Sequence, residues 1–256
     1  MNNFDFHLPT SIHFGRGAVS YLTEEVSRYG KKVFLIYSGS VKRIGLYDQV
    51  TAMFQKAGIQ WAEFTGIEPN PRHTTVNRGI ALLREYGADC IVAAGGGSTL
   101  DCAKAISFGI YYEGDVWDFY TGKVKETQAM PVIAIPTLAA AGAEVSFSAV
   151  ISNVETRQKI GLRNPLNRPV CAILDPTFTI SVPKYQTACG IVDIMSHTYE
   201  SYLGPDHLTL PDGIAESILR TCIESGRRVM QDPTDYDARA ALLWASDLSI
   251  SGLPHM

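Results

Sequence analysis

The stretch Cys90-Ile91-Val92-Ala93-Ala94-Gly95-Gly96-Gly97-Ser98 constrains the fold of this chain more than any other. Five consecutive apolar residues leave no polar side, so a strand here must be covered on both faces, the condition of a strand inside a parallel sheet. The glycines end that strand in a tight turn, and residues 99–108 read as a helix. The same order of strand, turn and helix recurs. Lys32–Tyr37, residues 60–64, 131–136 and 171–174 read as further strands, and 47–57 and 74–86 as helices. Such alternation predicts an α/β fold with a mostly parallel sheet covered by helices.

Beyond Pro183 the pattern becomes helical, over residues 185–203, 212–230 and 236–251, with 206–211 as a connecting loop. The expected division is an N-terminal nucleotide-binding domain, residues 1–183, followed by an incomplete all-helical domain, residues 184–256. A net charge of -4 without a basic run argues against nucleic acid as a partner. No apolar run is long enough for a bilayer, and Met1 to Asp5 reads as the start of a cytoplasmic protein rather than a leader. The 5 cysteines are odd in number, widely spaced and free of any C-x-x-C, which excludes a disulfide framework or structural zinc site. Four of them sit among apolar or small neighbours and read as buried thiols.

Ligands of open α/β sheets sit beyond the carboxyl ends of the strands, where Gly95-Gly96-Gly97-Ser98 falls. Glycines let a phosphate approach the backbone, and the following helix presents unpaired N–H groups. This is neither a P-loop, since no Gly-Lys-Ser/Thr follows, nor a G-x-G-x-x-G fingerprint, since Leu100 replaces the last glycine. Ser38-Gly39-Ser40 is a second small-residue turn on the same edge. Thr137 and the run Ala139-Ala140-Ala141-Gly142-Ala143-Glu144 either leave room for a ring system or form a tightly packed loop. Lys159 follows a turn at residues 155–157 and, taken alone, reads as a surface charge.

The helical segment Gly190-Ile191-Val192-Asp193-Ile194-Met195-Ser196-His197 carries a carboxylate and an imidazole four residues apart. That spacing stacks both heads on one helix face, where they can converge on one ion. Ile191, Ile194, Met195, Thr198 and Tyr202 form a different, packed stripe. The spacing alone is a weak signal, because an Asp before a His also occurs on solvated helices. Two ligands also fall short of the three that catalytic metal sites typically use.

Taken together, these pieces resemble the iron-dependent alcohol dehydrogenase family, in its butanol dehydrogenase and NADPH-dependent aldehyde reductase branch. The resemblance rests on Phe14-Gly15, Gly66-Ile67-Glu68-Pro69-Asn70-Pro71, Gly95 to Ser98 with Asp101, Leu174-Asp175-Pro176, and Asp193 with His197, all in order. Tyr236 to Arg239 and Trp244-Ala245 add to it. The resemblance implies an oxidoreductase passing hydride between a small primary alcohol or aldehyde and NAD(P)H, with a divalent metal held between the two domains. Gly96, Gly97, Ser98 and Asp101 would cradle the pyrophosphate. Asn70, Thr137, Leu138 and Lys159 would line ribose and nicotinamide, and Asp193 and His197 would ligate the metal. Fe²⁺ is the family's metal, and the general affinity order admits Zn²⁺. No carboxylate stands at Ser38 or Gly39 to repel a 2′-phosphate, which favours NADP over NAD. A homo-oligomer is expected, and no residue is assigned as general acid or base.

Three departures stand out. The family's other two histidine ligands and a histidine near the nicotinamide would follow the last residue of this chain. His255 lacks their context; with Glu200 and His207 it marks where a substitute ligand would be sought. The loop that often reads Thr-Gly-Ser-Glu is Ala141-Gly142-Ala143-Glu144, without its two hydroxyls. The turn Ser38-Gly39-Ser40, the candidate adenosine-ribose subsite, is one residue short of the branch's triple-glycine form. The alternative is therefore a catalytically impaired nucleotide-binding remnant, or a subunit completed by a second polypeptide, with Leu242, Leu243 and Leu248 left uncovered. A polyol dehydrogenase of the wider superfamily is a third reading.

Overall fold

The computed structural model describes residues 6–204 and 208–255. Met1 to Asp5, Pro205 to His207 and Met256 lie outside the described residues. In chain order the elements are β1 (Ser11–Phe14), α1 (Leu22–Ser27), β2 (Lys32–Tyr37), α2 (Gly39–Arg43), α3 (Leu46–Ala57), β3 (Gln60–Phe64), α4 (His73–Tyr86), β4 (Cys90–Gly95) and α5 (Gly97–Gly109). There follow α6 (Trp117–Tyr120), β5 (Val132–Pro136), β6 (Ser148–Asn153), β7 (Gln158–Arg163), β8 (Cys171–Leu174), α7 (Lys184–Tyr202), α8 (Thr209–Gln231) and α9 (Tyr236–Ile250).

Six strands form one sheet in the order β1-β8-β5-β4-β2-β3, and every pairing in it is parallel. Apolar strands explain why both faces are covered. Phe34, Ile36, Ile91, Ala93, Val132 and Ala134 pack on one face with α4, α5 and α6. Their neighbours Val33, Leu35, Cys90, Val92, Ile133 and Ile135 point the other way, against α1 and α3. Strand side chains alternate between faces, so each run of five apolar residues feeds two cores at once. Burying each branched side chain contributes about 1.5–3 kcal/mol before entropy is counted.

Helices α7, α8 and α9 pack on one another around Ile194, Ile218, Cys222, Val229 and Leu242. The uncovered-leucine expectation fails here. Leu242 and Leu243 are buried, Leu243 against Val145, Ala172 and Leu174 of the α/β part, and Leu248 is half-buried. Helix α9 packs between the helical group and the sheet, and the side that it leaves exposed is the one carrying Trp244. Other exposed apolar residues of this helical group include Val192, Leu210 and Ile223.

The loop expected through Pro211 is also shorter, because α8 begins at Thr209. Pro211 sits in the first helical turn, where its missing N–H costs nothing. Four cysteines are buried and Cys189 is exposed. Among the described residues no helix is long and apolar enough to cross a membrane.

Candidate active-site cleft

Strands β4 and β5 run side by side, with Gly95 opposite Pro136, and their carboxyl ends open into two adjoining cavities. Gly95 has φ +155°, and a Cβ there would press on Thr99 Oγ1 at 2.6 Å and Ser38 Oγ at 3.0 Å. Only glycine lets β2, β4 and α5 approach so closely. Gly96 and Gly97 differ: a Cβ on either meets nothing within 4 Å. The turn therefore offers bare backbone to open space at the start of α5, whose first turn has no side-chain cap. That is the geometry an anion can use.

The larger of the two cavities, about 390 Å³, brings together most of the predicted residues. Asn70, Gly97, Ser98, Asp101, Leu138 and Lys159 line it from the α/β part, and Asp193 and His197 from α7. Asn70 holds φ 56°, a left-handed conformation that favours glycine and that asparagine tolerates better than most other residues. Its N–H donates to Ser98 Oγ at 3.2 Å, which ties the loop before α4 to the glycine turn. Lys159 arrives on β7, whose pairing with β6 is an antiparallel hairpin. The turn before Lys159 was legible; the hairpin was not, because β7 is mostly exposed and offers only Ile160 and Leu162 to the core.

The adjoining cavity, about 270 Å³, shares Leu138 with the first and is lined by Ser40, Gly96 and Thr137. Ser38 and Gly39 line neither cavity. Ser38 Oγ is hydrogen-bonded to Ser40 Oγ at 2.7 Å. Arg43, which the sequence did not single out, lines this second cavity, and no carboxylate does. Its neighbour Lys42 is turned away over the rings of Tyr37 and Tyr47.

Helix α7 is pressed against the 137–144 loop. A Cβ on Gly190 would collide with the Ala139 carbonyl oxygen, so the glycine preceding Asp193 permits the contact. Ile194 and Thr198 face the helical core as expected, leaving Asp193 and His197 on the cleft side. His197 Nδ1 is buried without a hydrogen-bond partner, the state of a ring nitrogen that awaits a ligand. A carboxylate and an imidazole suit a divalent first-row metal, so the pair fits such an ion as far as two ligands go. Glu200 is exposed and does not line the cleft.

Burial sets the electrostatics. Loss of water raises the Asp101 carboxyl to about 6, opposed by Lys104, the Val150 N–H and Lys159. The same effect lowers fully buried Lys104 to about 8, opposed by Asp101 and Glu144. Lys104 Nζ donates to the carbonyl oxygens of Ser146 and Ser148 at 2.9 and 3.0 Å. Glu144 lines the cleft as well, a residue the sequence showed only as the last letter of a loop.

Two other features lie apart from this cleft. A cavity of about 530 Å³ is an apolar groove between α7 and α8 with none of the predicted site residues. A cluster of His13, Glu25 and Cys171 has metal-ligand chemistry by residue type. However, Arg28 already neutralises Glu25 at 3.2 Å, and burial raises the Cys171 thiol to about 12, so it stays protonated.

Residues 9–176 match the iron-containing alcohol dehydrogenase family, and residues 187–255 match the C-terminal part of the Fe-containing alcohol dehydrogenase family. NADH-dependent butanol dehydrogenase A of Clostridium acetobutylicum is 48% identical over 99% of this chain and 66% of its own length. NADPH-dependent aldehyde reductase YqhD of Escherichia coli is 38% identical over 99% of this chain and 66% of its own. The crystal structure of NADH-dependent butanol dehydrogenase A from Thermotoga maritima superposes with a TM-score of 0.96 at 38% identity, over 99% of this chain and 64% of that one. The chain thus spans about two thirds of the length of the relatives it matches. Matched along nearly all of its length, with the cleft at the carboxyl ends of a parallel sheet, this chain belongs to the iron-containing alcohol dehydrogenase family.

Proposed function

We propose that this chain carries the nucleotide and metal cleft of an NAD(P)-linked alcohol dehydrogenase or aldehyde reductase acting on small primary alcohols or aldehydes. One observation carries the reading: a single cleft is lined by Gly97, Ser98, Asp101 and Lys159 on one wall and by Asp193 and His197 on the other. We further infer two domains meeting near Pro183, residues 1–183 and 184–256. The change from α/β to helical elements supports this division, as do family matches that end at 176 and resume at 187.

Asp193 and His197 would hold a divalent metal, which would supply Lewis-acid polarisation of a substrate oxygen, and a bound nicotinamide would supply hydride chemistry. The chain's own residues bind and orient. The backbone of Gly96, Gly97 and Ser98 receives the pyrophosphate at the start of α5. Asp101, ionised above about pH 6, and the cationic Lys159 bracket the middle of the cleft. Ala140, Ala141 and Ala143 keep the opposite wall low enough for a ring, the first of the two readings of that loop. Ser40, Gly96 and Thr137 would hold the adenosine end, where Arg43 and the lack of a carboxylate favour NADP over NAD. A homo-oligomer is consistent with the exposed patch of Phe14 and Trp244, whose rings meet edge to face.

The test combines calorimetric titration with NADPH and NADH and NADPH oxidation with butyraldehyde after loading with Fe²⁺ or Zn²⁺. Nucleotide binding plus metal-dependent turnover that His197→Ala abolishes is the expected result. A second reading, a nucleotide-binding chain that needs another polypeptide for turnover, has one observation in its favour. Among the described residues, the cleft offers a single imidazole. Binding without turnover would select it; no binding of either nucleotide would refute both.

A further inference from the structure

Glu144 and Asp247 form a buried carboxyl pair for which the reading above has no use. Both are only 2% exposed. Neither Asp247 oxygen, nor Glu144 Oε1, has a hydrogen-bond partner among the other groups of the chain. The two carboxyls are within hydrogen-bonding reach of each other. Two carboxylates are both acceptors, so they can bond only if one proton sits between them. Bare, they would repel in a medium that screens poorly.

Among the described residues the donors near the pair are few, and the Glu144 backbone N–H reaches its own carboxyl. Lys104 on α5 is the cation that acts on Glu144, but its ammonium is committed to the Ser146 and Ser148 carbonyl oxygens. Asp101, Lys159, Asp193 and His197 share the cleft with Glu144. On α9 itself Arg239 is held by Pro233 and Thr187. The adjacent Ser246 shows what this part of α9 does. Its hydroxyl accepts from the N–H groups of Ala140 and Gly142 at 3.2 and 3.0 Å and donates to the Ala140 carbonyl at 3.0 Å. Gly142, at φ +55°, leaves no room for a side chain against the Ser246 carbonyl oxygen. One turn of α9 thus grips the 140–144 loop at three points, and the carboxyl pair is the third.

We propose that Glu144 and Asp247 share a single proton and act as a positioning pair, latching the cofactor-facing loop to α9. The substrate reading requires that loop as a cleft wall, so the consequence for nucleotide affinity rests on the proposed function, whereas the latch does not. Losing the shared proton leaves two buried charges face to face and frees the loop. The folded pair keeps a proton that the unfolded chain surrenders near pH 4. The folded state therefore binds more protons above that pH, and stability falls as pH rises until the folded pair ionises too.

The decisive variant is Asp247→Asn, which replaces the proton with an amide donor at every pH. Between pH 5 and 8 the thermal midpoint of the unmodified chain should fall relative to Asp247→Asn by about 3–5 °C per pH unit. NADPH affinity of the unmodified chain should hold over that range and fall only at the higher pH where the folded pair itself ionises, and that of Asp247→Asn should not fall there. Identical pH dependence of the two midpoints would overturn the proposal. So would an Asp247→Asn variant as unstable as Asp247→Ala at all pH values. If Asp247→Asn does not fold, infrared spectroscopy of the unmodified chain at pH 8 decides. The C=O stretch of a protonated carboxyl is expected, and its absence would overturn the latch. Failure of NADPH to bind at any pH would count against the proposed function alone, since the midpoints and the infrared band do not depend on nucleotide.

Discussion

At the scale of single residues, two glycines two positions apart do different work. Gly95 is required by its neighbours, while Gly97 faces open space. Gly97→Val should therefore fold with a thermal midpoint close to that of the parent while placing a branched side chain where a phosphate must lie. Affinity for NADPH is expected to fall at least tenfold, about 1.4 kcal/mol, by calorimetric titration. Arg43→Ala tests the adenosine end: NADPH binding should weaken several-fold with NADH binding little changed, because only the former carries a 2′-phosphate. Residues of this kind were unevenly legible. Asp193 and His197 announce themselves through helical spacing, and the glycine turn through its place after an apolar strand. Arg43, Glu144 and Asp247 do not, because their roles arise from long-range packing that no local spacing encodes.

At the scale of elements, α7 reaches the cleft only because Gly190 lets it touch the Ala139 carbonyl. Gly190→Ala should force helix and loop apart, costing about 1–3 kcal/mol in chemical denaturation. It should also weaken metal retention, since Asp193 lies on the same helix one turn on. Most of the expected strands within the large sheet are short apolar runs between turn residues, with the mixed β3 the exception. Strand β1 was missed, since Ser-Ile-His-Phe is mixed in polarity and sits on the sheet edge beside β8. The β6–β7 hairpin was missed because one of its strands is mostly exposed. The leucines of α9 were misjudged for the opposite reason. A helix packed on two sides looks apolar all round, and sequence alone cannot say what lies on the second side.

At the scale of the whole molecule, metal and nucleotide sites are separable. Metal should be held weakly, because the cleft presents one Asp and one His of the expected ligands where catalytic sites commonly use three. Elemental analysis after dialysis against a chelator should find well under one metal per chain, while NADPH binding survives. Stoichiometric retention would require further ligands, with Asp101 and Glu144 the other carboxylates in the cleft.

The sheet also prescribes an order of assembly. Ser11 pairs with Cys171 and Phe14 with Leu174, so among the described residues β1 finds its one strand neighbour 160 positions further on (171 − 11). Local βα units can close early, but loop-closure entropy delays such a distant pairing. On a ribosome the first strand made must wait until β8 has left the exit tunnel, with its edge exposed to other nascent chains meanwhile. Pulse-labelling hydrogen exchange during refolding should accordingly show the amides of β1 protected last among the six strands, and those of β4 among the first.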